Sequence, residues 1–228
     1  MCLLIAIEGI DGSGKGTQAA RLHAHLLSQG RKSALLSFPR YQQTRFGQKI
    51  GDFLNGKFGT LETVHPLLAS LLFAGDRFES RALIERTMAE HEIVVFDRYV
   101  ASNVAHQGAK VTGVERKQLI EWIQHLEHSI YQLPQAHQNL FLDVSVPLAQ
   151  QLIAAKSKRD YTEKSADLQE ADTNYLRQVR SVYLELANGP KWTTIPCESA
   201  GGVRNMDEIS ADIAGAVEAI SRTGWERG

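Results

Sequence analysis

The sequence predicts an α/β fold, with a sheet of about five parallel strands flanked by helices on both faces, and three observations predict it. Short continuous apolar runs such as "LLIAI" and "IVVF" recur along the chain, and such runs mark strands covered on both faces. Segments of helical spacing separate them, so the strands run parallel and are joined by crossovers. The first apolar run leads at once into glycines, a lysine and a helix. That order puts bare backbone at the carboxyl end of a strand, where open α/β sheets bind ligands.

In chain order, "LLIAI" (3–7) is the first strand. A helix runs from about Lys15 to Gln29 and stops at Gly30, a residue that accepts the left-handed backbone of a helix end. "SALLSF" (33–38) is the second strand, closed by Pro39, and 45–55 reads as helical. From Val64 to about Glu90 the apolar residues keep helical spacing, among them Leu67, Leu68, Leu71, Leu72 and Leu83, and predict one long helix. Strands follow at 93–96, 139–144 and 192–196, with helices at about 114–131, 147–156, 172–187 and 207–221. One segment departs from the pattern. "KSKRDYTEKSADLQEAD" (156–172) is highly charged and almost free of large aliphatics, which by composition alone is a solvated connection. No repeat or linker divides the chain, so 1–228 reads as a single domain.

A chain of 228 residues, 43% hydrophobic and 22% charged, can bury a sizeable core. Its formal net charge of −1 gives no general attraction for nucleic acid or an anionic membrane. The longest apolar stretch, "PLLASLLFAG", falls short of the roughly 18–20 residues that span a bilayer. "MCLLIAI" has no basic lead-in for secretion. Two distant cysteines, Cys2 and Cys197, suggest neither a disulfide framework nor metal-ligand spacing. A cytoplasmic protein is expected.

Gly9-Ile10-Asp11-Gly12-Ser13-Gly14-Lys15 fits the GxxxxGK part of a P-loop. Glycines let backbone N–H groups wrap an anion, the following helix adds its N-terminus, and the lysine reaches terminal phosphates as a point charge. Gly9, Asp11, Gly12, Ser13, Gly14, Lys15, Gly16 and Thr17 are therefore the expected nucleotide-binding residues. Gly16 stands where the full motif has a hydroxyl for Mg²⁺. Thr17, one place later, reads as an α-phosphate contact, and Mg²⁺ would then be held largely by phosphates and water. The "IVVF" strand ends in Asp97-Arg98-Tyr99. An acid and a base there could handle metal-bound water and migrating phosphoryl charge, or could be a structural pair capping the strand.

The strings "EGIDGSGKGTQ", "FPRY", "LLFAGDRFES", "FDRYVASNVAHQGAK" and "YLELA" occur in this order over nearly the whole chain. Together they resemble the thymidylate kinase family. The resemblance implies a P-loop kinase fold with a mobile lid at about 156–172, ATP and Mg²⁺ as cofactors, dTMP as acceptor, and a homodimer formed through long helices such as 64–90. It further implies that Lys15 and Arg98 are catalytic, with Asp97 associated with the metal through water. By the same resemblance Asp11 takes the 3′-hydroxyl of the deoxyribose, Phe73 stacks on thymine and Arg77 hydrogen-bonds it. The i, i+4 spacing of Phe73 and Arg77 puts both on one helix face, although Phe73 alone reads as core. Arg40 resembles the arginine for the acceptor phosphate, with Arg45 competing. Ser102 and Asn103 should border the base. His106 stands where the family usually has Tyr or Phe, which leaves rejection of a 2′-hydroxyl open. "YLELA" is expected to pack its aliphatics into the core, and the stretch after "TTIPC" to border adenine.

Some members of the family carry a catalytic arginine in the P-loop and others in the lid. Gly12 and Ser13 leave that role to the lid here, where Lys156, Lys158 and Arg159 compete. Arg159 is preferred for bidentate phosphate contact. Leu168 occupies a place where the bacterial lid pattern commonly has arginine. Two other functions fit parts of the sequence: a kinase for another monophosphate or a deoxynucleoside, and a non-catalytic nucleotide-binding module.

Overall fold

A computed structural model describes residues 2–61, 63–155, 169, 172–200 and 202–222. The five expected strands are β1 (Leu3–Glu8), β2 (Ser33–Ser37), β3 (Ile93–Asp97), β4 (Gln138–Asp143) and β5 (Trp192–Pro196). They form one parallel sheet in the order β2-β3-β1-β4-β5. Alternate side chains of β1 enter separate apolar clusters: Leu3, Ile5 and Ile7 join one, Leu4 and Ala6 the other. Burial on both faces explains why the strand reads as a continuous apolar run rather than an alternation.

The helices are α1 (Lys15–Ser28), α2 (Arg45–Leu54), α3 (Pro66–Glu79), α4 (Arg81–Glu90), α5 (Val100–Gly108), α6 (Gly113–Gln124), α7 (Val146–Ala154), α8 (Thr173–Leu186) and α9 (Met206–Arg222). The helix α1 packs against β1, β2, β3 and α9, whereas α5 packs against α3, α6 and α8. The chain leaves β1 towards β2 at one side of the sheet and leaves β3 towards β4 at the other. The crevice between the carboxyl ends of β1 and β3 is thus the switch point at which such sheets bind ligands.

Three elements depart from the sequence reading, besides a short antiparallel strand pair, Glu198–Ser199 with Gly202–Val203, that it did not include. The long helix expected over 64–90 is two helices, broken at Ser80. Its hydroxyl donates back to Asp76 O at 2.9 Å and accepts from Arg40 Nη1 at 3.2 Å, a local competition typical of serine. The helix expected at about 114–131 changes at His125 into a π-helical turn, His125–Ile130. A short helix after the Asp97-Arg98-Tyr99 string, α5, had no expected counterpart.

The π turn brings Glu127 inward. Its carboxylate receives Arg77 Nε at 2.5 Å and Arg77 Nη2 at 2.7 Å, and Asn103 Nδ2 at 2.9 Å. Both side chains of the ion pair are at most 3% exposed. This pair fastens α3 to the π turn, and its charges depend on each other because neither is hydrated. Glu127→Ala is expected to destabilise the fold by about 3–5 kcal/mol, since it strands a buried guanidinium. Chemical denaturation checks this, and a Glu127→Leu, Arg77→Met double variant should recover most of the loss.

Candidate active site

The loop between β1 and α1 ends on Gly14, whose φ of 84° belongs to the left-handed region. Gly14 is also the N-cap of α1 and offers no side-chain cap. The first-turn N–H groups of a helix lack intrahelical partners, so they remain directed at whatever anion the loop holds. Lys15 is buried, its Nζ donating to Ile10 O at 2.6 Å and Ser13 Oγ at 3.4 Å. Burial, and then the Arg98 charge, lower its ammonium pKa to about 7 against the opposing pull of Asp11, Asp97 and Glu8. An arriving phosphate would reverse that balance.

Gly16 now has a physical explanation. A Cβ at this position would lie 3.0 Å from Asp97 Oδ2, so the carboxylate fills the space in which a serine or threonine would begin. The Asp97 carboxylate is a hard oxygen donor facing the start of α1, which suits a Mg²⁺ held through water. Thr17 is exposed on the first turn.

In the β1–β3 pairing Ile7 stands opposite Asp97, so the phosphate loop and the Asp97–Arg98 turn leave the sheet side by side. Arg98 has a φ of 65°, unusual for a residue with a side chain. Its Nη2 donates to Asp11 Oδ1 at 2.5 Å, and its Nη1 to Ser102 Oγ at 3.2 Å and Gly9 O at 3.4 Å. Burial works against its charge, but Asp11 first among several neighbours outweighs burial and keeps it a cation.

His106 is 4% exposed. The Tyr175 hydroxyl donates to His106 O at 2.9 Å, so its oxygen is left to accept from His106 Nδ1 at 3.1 Å. The ring therefore carries its proton on Nδ1, and Nε2 faces Arg98 Nη1 at 3.4 Å as an acceptor. Burial holds the imidazole pKa down to about 3.

Asp11, Phe73, Arg77, Arg98, Ser102, Asn103 and His106 line one pocket beside the phosphate loop. The ring of Phe73 meets Phe53 edge-on, with centroids 6.4 Å apart. The sequence reading missed Phe38, Pro39, Tyr41 and Gln107, which line the same pocket. The Phe38–Pro39 peptide is cis. Gln107 is fully buried, and among the described residues neither of its side-chain amide atoms, nor Asn103 Oδ1, has a hydrogen-bond partner. Unpaired buried polar atoms cost about 1–3 kcal/mol each, so these amides could be satisfied by a polar group entering the pocket. The signal for Gln107 was its place beside His106 in "AHQG".

Other expected residues lie elsewhere. The Arg40 guanidinium turns to Ser80 Oγ rather than lining the pocket, while Arg40 N donates to Asp76 Oδ2 at 2.9 Å. Arg45 is exposed at the start of α2. Lys156, Lys158, Arg159 and Leu168 lie outside the described residues, although Gln169 lines the pocket. Of the aliphatics in "YLELA", Leu186 packs against the core but Leu184 is exposed, whereas Tyr183 is fully buried and its hydroxyl donates to Glu8 Oε2 at 2.9 Å.

A phosphate loop and an adjoining pocket, joined by one arginine at the switch point of a five-stranded parallel sheet, are what a P-loop nucleoside monophosphate kinase requires. The chain belongs to the thymidylate kinase family, whose model matches residues 7–205. It is 33% identical over 196 residues to the thymidylate kinase of Mycobacterium tuberculosis strain H37Rv, covering 85% of this chain and 91% of that one. A putative thymidylate kinase of Aeropyrum pernix is 30% identical over 218 residues, covering 92% and 93% of the two chains. The fold is shared with a solved thymidylate kinase from Candida albicans at a TM-score of 0.71 and 24% identity, over 96% of this chain and 92% of that one.

The His106 geometry makes a spectroscopic prediction. An unfolded histidine takes a proton below about pH 6.5, whereas the buried ring stays neutral down to about 3. The unfolded state therefore binds more protons between these values, and stability falls as pH drops through them. Imidazole NMR should report one Nδ1–H form from pH 8 to pH 5. A titration midpoint near 6.5 would contradict the assignment.

Proposed function

We propose that the protein transfers the γ-phosphoryl group of ATP to dTMP, giving dTDP and ADP. The observation that carries this reading is Arg98, whose guanidinium touches Asp11 of the phosphate loop and Ser102 and His106 of the pocket. A cation so placed can contact donor and acceptor phosphates together.

On the donor side, the loop N–H groups and Lys15 hold the triphosphate. Lys15 exchanges Ile10 O for a phosphate oxygen and regains its full charge. On the acceptor side, thymine stacks on Phe73, an interaction worth about 1–3 kcal/mol. Arg77 spends Nε and Nη2 on Glu127, so Nη1 is the group left to meet the base, with the amides of Asn103 and Gln107 beside it. Asp11 takes the 3′-hydroxyl. Asp97 would hold Mg²⁺ through water, and the bound ion supplies neutralising charge at the β- and γ-phosphoryl oxygens. The attacking atom is an ionised phosphate oxygen, so the chain's task is to align the groups and offset charge rather than abstract a proton. The position of Arg159 in the charged segment 156–172 supports a second cation there, brought in when the site closes over its substrates and excludes water.

A coupled ADP-release assay with ATP and Mg²⁺ tests the acceptor. Turnover is expected with dTMP, weaker by about 10–200-fold with dUMP, whose missing methyl is worth about 1–3 kcal/mol. Preference for thymidine itself would discard the monophosphate reading.

Nucleotide binding should also take up a proton. At pH 8 free Lys15 is largely neutral, because its pKa lies near 7, and the bound phosphate recharges it. Calorimetry of ATP binding at pH 8, compared between Tris and HEPES, is expected to show uptake approaching one proton. Lys15→Met should abolish this uptake.

A homodimer in the cytoplasm completes the proposal. Among the described residues no helix is long and apolar enough to cross a membrane. Leu68 and Phe78 of α3, and Val114 and Trp122 of α6, expose large apolar groups, which supports a mate over this surface. Light scattering should give twice the chain mass, and Leu68→Glu should shift the particle towards monomer.

A further inference from the structure

Glu8, the last residue of β1, is fully buried and is not part of the proposed substrate contacts. Its Oε1 accepts from Tyr99 N at 2.8 Å, and its Oε2 from Ser102 Oγ at 2.6 Å and Tyr183 Oη at 2.9 Å. Three donors converge on one carboxylate, and two of them flank Arg98 in the chain or bind it directly. Tyr99 N is the amide immediately after the Arg98 backbone with φ of 65°. Ser102 Oγ gives its one proton to Glu8, which leaves its lone pairs for Arg98 Nη1 at 3.2 Å. The preceding amide, Arg98 N, donates to Ile7 O at 3.1 Å. Glu8 and its strand neighbour thus grip the turn on both sides of the arginine.

The two hydroxyl donors also touch each other, Ser102 Oγ lying 2.9 Å from Tyr183 Oη. Tyr183 is fully buried, and burial followed by the nearby Glu8 charge raises its phenol well above 10, so it stays a donor. A left-handed backbone at a residue with a side chain is strained and persists only where its surroundings fix it. The carboxylate at Glu8 supplies that fixing from within β1, the same strand that delivers the phosphate loop.

We propose that Glu8 is a positioning residue for phosphoryl transfer: through Tyr99 N and Ser102 Oγ it fixes the Arg98 turn and orders the guanidinium between the two phosphate sites. This rests on the kinase reading above only for what Arg98 contacts. Glutamine at this position keeps the size and one acceptor but replaces the oxygen that takes two hydroxyl protons by an NH₂ group. Ser102 must then reorient, and Arg98 Nη1 loses one of its acceptors.

The test is a double-mutant cycle of Glu8→Gln and Arg98→Lys, with kcat normalised to folded protein and KM measured for ATP and dTMP. Glu8→Gln alone is expected to lower kcat by about 10²-fold, the scale of a small misplacement of a catalytic group, with KM for ATP nearly unchanged. In the Arg98→Lys background it should lower kcat further by less than about threefold, since coupled residues are not additive. The second readout is the Arg98 guanidinium NMR signal, assigned by its loss in Arg98→Lys and expected to exchange faster with solvent in Glu8→Gln. Unchanged kcat per folded molecule, full additivity or an unchanged Arg98 signal would each overturn the proposal. If Glu8→Gln does not fold, Ser102→Ala cuts the same link while leaving the carboxylate and the Tyr99 bond, and the same two readouts decide. Wild-type protein inactive towards dTMP would sink the acceptor reading instead, and the Arg98 signal would still judge Glu8.

Discussion

The pairing of β1 with β3, from Leu3 opposite Ile93 to Ile7 opposite Asp97, brings the phosphate loop and the Asp97–Arg98 turn out of the sheet at the same level. Asp11, Lys15, Asp97 and Arg98 take their places from that register. Both strands are covered on both faces, and the apolar contacts that bury them also forbid a slip, because a shift by one residue would send each side chain to the opposite face. The site's geometry is therefore as rigid as the core beneath it.

That rigidity allows charges to be kept where water is scarce. Lys15 sits at the edge of losing its proton, whereas Arg98 is surrounded by enough carboxylate to remain a cation despite burial. The two cations lie close enough to lower the proton affinity of Lys15, a repulsion that an incoming phosphate chain would relieve. Arg77 and Glu127 solve the same problem differently, as a closed pair fixed by two elements. His106 solves it by staying neutral, its tautomer set by Tyr175. A site built this way spends little reorganisation at the moment of transfer.

Much of this was legible in the order of residues. All five strands lie within a residue or two of their expected limits, because a fully buried parallel strand has an unmistakable apolar run. The phosphate loop was legible for a similar reason: its glycines answer a local backbone demand. The break at Ser80, the π turn at His125–Ile130 and the helix Val100–Gly108 were not. Each is decided by a partner remote in the chain, such as Arg40 for Ser80 and Arg77 for Glu127. Gln107 escaped notice because an amide between ordinary helical residues carries no spacing of its own, and Tyr41, in the turn before α2, stood in "FPRY" without an assigned role.

The sequence by itself determined the class of sheet, the phosphate loop and the pair Phe73 and Arg77 on one helical face, since these follow from periodicity and from what a short stretch of backbone can do. Only the tertiary structure decided why Gly16 has no side chain, which end of Arg77 is already taken, which nitrogen of His106 bears the proton, and that Glu8 stands behind Arg98. Those answers depend on distances between residues up to 175 positions apart, as between Glu8 and Tyr183. A linear sequence does not express such distances until packing makes them short.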